Sequence, residues 1–431
     1  MNSIENWFCE NDDKIKQTER FIFENPELSL EERQSSQCLA KFMEEQGFSV
    51  EWNIGGLETA FVATWGQGEP VLGFLAEYDA LPGLGQKPVE ERCEIEGCGH
   101  GCGHSLLGVG AAAAAAALKS ELEFSGKLGT IKLFGCPAEE IMYGKIVMAK
   151  QGCFDGLSAA ITWHPSDSNR VGEDIYQAMD SKKFKFFGTT SHASGSPHLG
   201  RSALDAAELM NVGVNYLREH VTDDVRIHYT YLDGGEKPNI VPDFAQTSYY
   251  IRGKNREHVD DASARIERIA QGAALMTDTR YESELVASCM ETKLNFTLLN
   301  AFYKAMGGIE VPTYTQEEIQ FAESISKAAN LKNQGKYFDG LHKFENREID
   351  IFISTDVSNV SHIVPTITLN AATACKGTPL HHWAFTAQVG SSIGYKGMIY
   401  VAKSMALGGM MLIDNPEILL KAMDEHKNSS I

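Results

Sequence analysis

Apolar residues recur along this chain at two different periods, and the change of period divides it. Residues 12–25 and 30–46 carry helical spacing, and Leu39, Phe42 and Met43 form an apolar stripe on the second segment. Ser29 followed by Glu32 predicts a capping box at the start of that helix, and Gly47 predicts its stop. Short apolar runs then predict strands at Ala60–Trp65, Val71–Ala76, Thr130–Phe134 and Ala159–Trp163. Between them lie a loop at 84–98 and helical patterns at 105–122 and 143–152. Strands alternating with helices predict an α/β fold with a mixed, mostly parallel sheet and flanking helices.

Near Met179 the order changes. Strands are predicted at Lys182–Phe187, Arg226–Leu232, Thr247–Arg252 and Arg280–Ala287, with helices at Ser202–Glu219 and Val259–Leu275. The resulting βαββαβ sequence is the ferredoxin-like α+β arrangement. The domain reading is therefore 1–179 with 291–431 as one body and 180–290 as an insertion. After 291 helical patterns resume. Two short strands near 350–354 and 366–370 are expected to return to the first sheet, and 388–412 reads as one long apolar helix.

Composition narrows the class. The chain has 431 residues, enough for two domains, with ordinary apolar (43%) and charged (22%) fractions. A net charge of −20 argues against nucleic acid or an anionic membrane as partner. Nine cysteines, an odd number without framework spacing, suit a reducing compartment. The acidic start Met-Asn-Ser-Ile-Glu-Asn-Trp has no apolar core, so no signal peptide is read and a cytoplasmic location is expected. The run Leu106 to Leu118 is too short to span a bilayer. Its seven consecutive alanines instead predict a buried helix packed tightly on a sheet.

Candidate chemistry gathers between Gly99 and Glu140. Gly99-His100-Gly101-Cys102-Gly103-His104 sets two histidines and a cysteine at alternate positions, a donor set suited to zinc or a neighbouring transition metal. An extended loop would turn Cys102 and His104 the same way. Glu139 and Glu140 follow an apolar strand and a Cys-Pro turn, so solvation alone accounts for them poorly. Adjacent side chains diverge, so one carboxylate can bind metal while the other faces substrate as a general base. Asp79 and His164 also fall at strand ends, where α/β sheets place reactive groups. Residue chemistry leaves His381 and His382 equivalent. His192 and Arg252 lie in the insertion, where an arginine can hold a carboxylate through two hydrogen bonds.

The motifs Ala76-Glu77-Tyr78-Asp79-Ala80-Leu81-Pro82-Gly83, Gly99 to Gly108, Gly135 to Glu140, Thr162 to Pro165, Ser196 to Ala206, Ser354 to Val357 and Gly377 to His381 span nearly the whole chain. Together they resemble the metallopeptidase family of aminoacylases, carboxypeptidase-G-type enzymes and auxin-conjugate amidohydrolases, in its amidohydrolase branch. The resemblance implies a zinc-peptidase-like catalytic domain holding two divalent ions, Zn²⁺ or Mn²⁺, and an inserted lid that forms a homodimer. It places the metal ligands at Cys102, His104, Glu140, His164 and His381, and the general base at Glu139. It makes His192 an oxyanion-steadying residue, and Asn239 and Arg252 carboxylate holders. Glu77 stands where other branches carry a histidine, so Glu77 and Asp79 are left as supports of the ligands. Ser105 follows His104 where relatives often carry Asn or Asp.

The expected activity is hydrolysis of the amide bond in N-acyl amino acids, such as aminobenzoyl-glutamate-like conjugates. Three readings compete with it. One is a dipeptidase of the same chemistry, another an accessory subunit paired with an active homologue. The third is a structural zinc protein using Cys93, Cys98 or His100.

Overall fold

The structure, a computed structural model, describes residues 3–333 and 336–429. It comprises two compact units. The first holds the described residues up to Asp174, Lys293–Ile349, and those from Val360 onward; the second holds Ile175–Thr292 and Asp350–Asn359.

A seven-stranded sheet centres the first unit. Across it the strands run Ser49–Trp52, Phe61–Gln67, Gly129–Gly135, Val71–Ala76, Ala159–Ser166, Thr366–Ala372 and Arg170–Val171. The four central strands, from Gly129–Gly135 to Thr366–Ala372, are mutually parallel, and the outer pairings are antiparallel. Central strands covered on both faces must be apolar throughout. Val71–Ala76 accordingly buries every residue but its first. The helix His104–Ser125 lies in the core, with His104 through Leu118 all buried. Its alanines carry only a Cβ, which lets it pack closely beside the helices Ser3–Glu24 and Ser392–Asp414.

Three expectations change here. The capping box at Ser29 is absent: Ser29 Oγ donates to Asp79 Oδ2 at 2.8 Å, and the helix begins later, at Arg33. Glu32 turns inward instead, accepting from Ala138 N at 2.8 Å and Thr59 Oγ1 at 3.1 Å. The strand expected near 350–354 does not join the first sheet. Ile349–Asp350 pairs with Asp174–Ile175 in a separate ribbon, because Arg170–Val171 already covers the free edge of Thr366–Ala372. The long helix expected over 388–412 is two helices, Trp383–Val389 and Ser392–Asp414. Ser391 caps the second by accepting from Ile393 N at 3.2 Å. Gly390 at the break lies where a Cβ would meet the Phe23 ring at 2.3 Å.

The second unit is a four-stranded antiparallel sheet in the order Arg226–Asp233, Phe244–Gly253, Ala178–Phe187 and Arg280–Cys289. The helices Ala203–Leu217 and Arg256–Thr277 pack on the sheet and close a core of Phe184, Phe186, Tyr249, Ile251, Met210 and Ile266. Burial alternates along Phe244–Gly253, as it must when one sheet face is covered and the other is open.

Candidate metal centre

The parallel strands Val71–Ala76, Gly129–Gly135 and Ala159–Ser166 direct their carboxyl ends to one rim, and each delivers donors there. The segment between Thr366–Ala372 and Trp383–Val389 supplies His381, and the loop before His104–Ser125 supplies Cys102 and leads into His104. That loop is not extended, as the alternate spacing had suggested. Gly103 adopts a left-handed conformation (φ 86°), and this turn brings Cys102 and His104 together. A Cβ at Gly103 would stand 2.8 Å from the Pro165 ring, so only glycine fits.

Three groups of donor atoms converge, each with its atoms within 4.8 Å of one another: Cys102, His104 and His164; Cys102, Glu140 and His381; and Glu77, His104 and Glu139. Cys102 Sγ lies 3.4 Å from His164 Nε2, and His381 Nε2 lies 3.5 Å from Glu140 Oε2. The adjacent glutamates diverge. Glu140 reaches toward His381, while Glu139 Oε2 stands 4.0 Å from His104 Nε2. The structure also separates His381 from His382. His382 Nδ1 accepts from Ala384 N at 3.2 Å and so caps the helix Trp383–Val389. His381, in a left-handed conformation (φ 56°), is tied through its backbone N to Gly101 O at 2.9 Å.

Asp79 organises the centre. Its Oδ1 lies 2.9 Å from His104 Nδ1, while its Oδ2 accepts from Ser29 Oγ at 2.8 Å and Glu140 N at 2.9 Å. A carboxylate on Nδ1 fixes the imidazole tautomer and turns Nε2 toward a metal. His104 Nε2 is buried without a hydrogen-bond partner, and so is Glu140 Oε1. Burial works to lower the His104 pKa, but Cys102 and Asp79 outweigh it and hold it well above its ordinary value. Burial lowers His164 to about 4, with His104 adding to the effect. It raises Glu140 to about 7 against the pull of His104, and it pushes the Cys102 thiol up. Imidazole, thiol and carboxylate donors converging within 4.8 Å, two of them with buried atoms left without a hydrogen-bond partner, fit a divalent transition ion.

Two further groups belong to this centre: Glu77, which the resemblance leaves as a support of the ligands, and Lys145, which the sequence does not single out. Glu77 Oε2 lies 3.3 Å from His104 Nε2, and Lys145 Nζ lies 2.8 Å from Glu77 Oε1. A lysine early in a short helix after the glutamate pair gave no sign that it would be buried. The rival zinc donors do not assemble: none of the three donor groups contains Cys93, Cys98 or His100. Cys98 Sγ donates to Pro26 O at 3.1 Å, and His100 Nε2 lies 3.2 Å from Ile22 O.

The second unit carries the other expected residues. His192 and Asn239 are neighbours: Ala193 N donates to Asn239 O at 3.0 Å, and His192 bridges to Ile240. His192 Nδ1 accepts from Gly195 N at 3.0 Å, so its Nε2 carries the proton and points outward as a donor. Arg252 lies near the opposite end of the strand Phe244–Gly253, half-buried, with Nη1 donating to Ser354 Oγ at 2.6 Å. At about 3.3 Å per residue the strand sets Arg252 roughly 26 Å from Phe244, the end at which the His192 turn pairs with residues 239–243.

The sequence pattern of Peptidase family M20/M25/M40 matches residues 73–357. One of the subunits of the p-aminobenzoyl-glutamate hydrolase of Escherichia coli (strain K12) is 37% identical over 94% of this chain and 90% of its own length. The Xaa-Arg dipeptidase of Mus musculus is 29% identical over 95% of this chain and 88% of its own. Among solved structures, an aminobenzoyl-glutamate utilization protein from Klebsiella pneumoniae superposes with a TM-score of 0.62 at 16% identity. That match covers 92% of this chain and 98% of the other. The match to the family pattern and the likeness to the E. coli hydrolase over nearly the full length agree with the assembled donors: the chain belongs to peptidase family M20/M25/M40 and is a metal-dependent hydrolase of amide bonds.

Proposed function

We propose that this chain cleaves the amide bond of an N-acyl amino acid, an aminobenzoyl-glutamate-like conjugate being the substrate class, at two divalent ions, Zn²⁺ or Mn²⁺. Cys102, His104, Glu140, His164 and His381 hold the ions, with Cys102 shared between the donor groups. When bound, the ions supply Lewis acidity that polarises the amide carbonyl and makes water acidic enough to attack. Glu139 takes the proton of the attacking water and passes it to the leaving nitrogen. Its place in the donor group of Glu77 and His104, while Glu140 joins Cys102 and His381 in another, is the observation that carries the reading.

His192 Nε2–H steadies the developing oxyanion, while Asn239 and Arg252 hold the substrate carboxylate. The distance between the His192 turn and Arg252 favours a homodimer joined through the 180–290 domain. One copy then supplies His192 and Asn239 and the other supplies Arg252. We place the chain in the cytoplasm, where its free cysteines stay reduced.

The test is Glu139→Ala. Hydrolysis of N-acyl glutamates is expected to fall by about three orders of magnitude or more while bound metal stays near wild type. Near-normal turnover removes Glu139 from the role. A second reading is that activity needs a homologous partner; it is favoured by the E. coli relative's being one of the subunits of its hydrolase. Assay of the purified chain alone with Mn²⁺ or Zn²⁺ decides between them. A panel of N-acyl glutamates, N-acyl aspartates and dipeptides separates amidohydrolase from dipeptidase.

A further inference from the structure

The Lys145–Glu77 pair is more deeply buried than any surface ion pair, with the two side chains 0% and 2% exposed. Taking two charges out of water is expensive, and an apolar pair of equal volume often stabilises a core at least as well. Fold stability alone is therefore a weak reason for this pair. Its position supplies a stronger one. Lys145 engages one oxygen of Glu77, Oε1, and leaves Oε2 at 3.3 Å from His104 Nε2. That nitrogen is the one Asp79 leaves free, and it is buried without a hydrogen-bond partner. Glu139 Oε2 approaches the same nitrogen to 4.0 Å, which completes the third converging donor group.

We infer that Glu77 is a further metal-facing donor of the centre and that Lys145 is its positioning residue, holding the carboxylate so that a single oxygen faces the ion beside His104. The inference rests on the two-ion reading above. Charge supports it. Glu77, Asp79, Glu139 and Glu140 crowd a volume nearly closed to water. The fixed cation of Lys145 offsets Glu77, so adding this carboxylate to the ligand set leaves the charge on the two ions balanced by the others. Local structure supports it as well. Lys145 is the second residue of the helix Gly144–Lys150, which follows directly on the turn bearing Glu139 and Glu140. One short segment thus places the base, a ligand and the group that orients Glu77.

Cobalt(II) titration tests this without reference to turnover. The near-ultraviolet thiolate band reports occupation next to Cys102, and the titration gives the number and affinity of bound ions. Wild type is expected to take two ions. The charge-neutral double variant Glu77→Gln/Lys145→Met is expected to keep one and to bind the other at least about tenfold more weakly. A folded double variant that binds both ions within twofold of wild type overturns the inference and leaves the pair a feature of the core alone. If the double variant does not fold, Glu77→Asp decides by the same criterion, since it keeps the charge beside Lys145 and withdraws the carboxylate by one methylene. Wild type binding fewer than two ions overturns the two-ion reading itself, and this inference with it.

Discussion

At the scale of the residue, Asp79 shows how one side chain can set a whole centre. It holds His104, Ser29 and the backbone of Glu140 at once. Asp79→Asn replaces an acceptor oxygen with a donor and leaves one of these contacts unmet. Metal affinity, read by chelator competition, is expected to fall about 10–100-fold. Glu19 offers a prediction in pH. Burial lifts its carboxyl from 4.5 to about 8, and the Ser105 hydroxyl only partly opposes this. The folded state therefore holds a proton that the unfolded chain releases, and stability is lost as pH rises from near 4.5 through about 8. Glu19→Gln should change nothing in thermal unfolding at pH 4. Above pH 8 it should stabilise by on the order of 5 kcal/mol; an equal gain at both pH values would show that ionisation is not the cause. The types of the donor residues were legible in sequence, because cysteine, histidine and paired glutamates are rare in such company. Lys145 was not, because nothing local in a sequence marks which charged side chain a fold will bury.

At the scale of the element, the helix His104–Ser125 is positioned by close approach. A Cβ on Gly108 would lie 2.6 Å from Glu77 O, against backbone that has little room to retreat. Gly108→Ala is therefore expected to destabilise by about 1–3 kcal/mol and to weaken metal binding, since it pushes on the strand end that carries Glu77. Gly272, in the helix Arg256–Thr277, has open space where its Cβ would be. Gly272→Ala should stabilise by about 0.5–1 kcal/mol. Thermal denaturation of the two variants gives opposite signs if packing, and not helix propensity, governs the first position. Helix and strand periods were readable because they come from which residues face the core. The Ser29–Glu32 signature misled because both side chains found partners distant in sequence, Asp79 and Ala138. A motif of local spacing carries no information about such partners.

At the scale of the whole molecule, the first unit collects carboxylates whose mutual repulsion a bound divalent cation relieves. Removing metal with a chelator is expected to lower the melting temperature, and adding Zn²⁺ or Mn²⁺ back should restore it. At a hundredfold excess over the dissociation constant the gain is about 2.7 kcal/mol per site. A chelator-insensitive melt would mean that the centre contributes nothing to stability. The sequence by itself determined the alternation of strands and helices, the change to a βαββαβ order near Met179 and the kinds of donor available. These follow from periodicity and side-chain chemistry, which are properties of the chain read locally. Only the tertiary structure decided that His382 caps a helix, that Gly103 turns rather than extends, and that Lys145 stands behind Glu77. The last two depend on atoms brought close by folding from distant parts of the chain, and proximity of that kind has no signature in residue order.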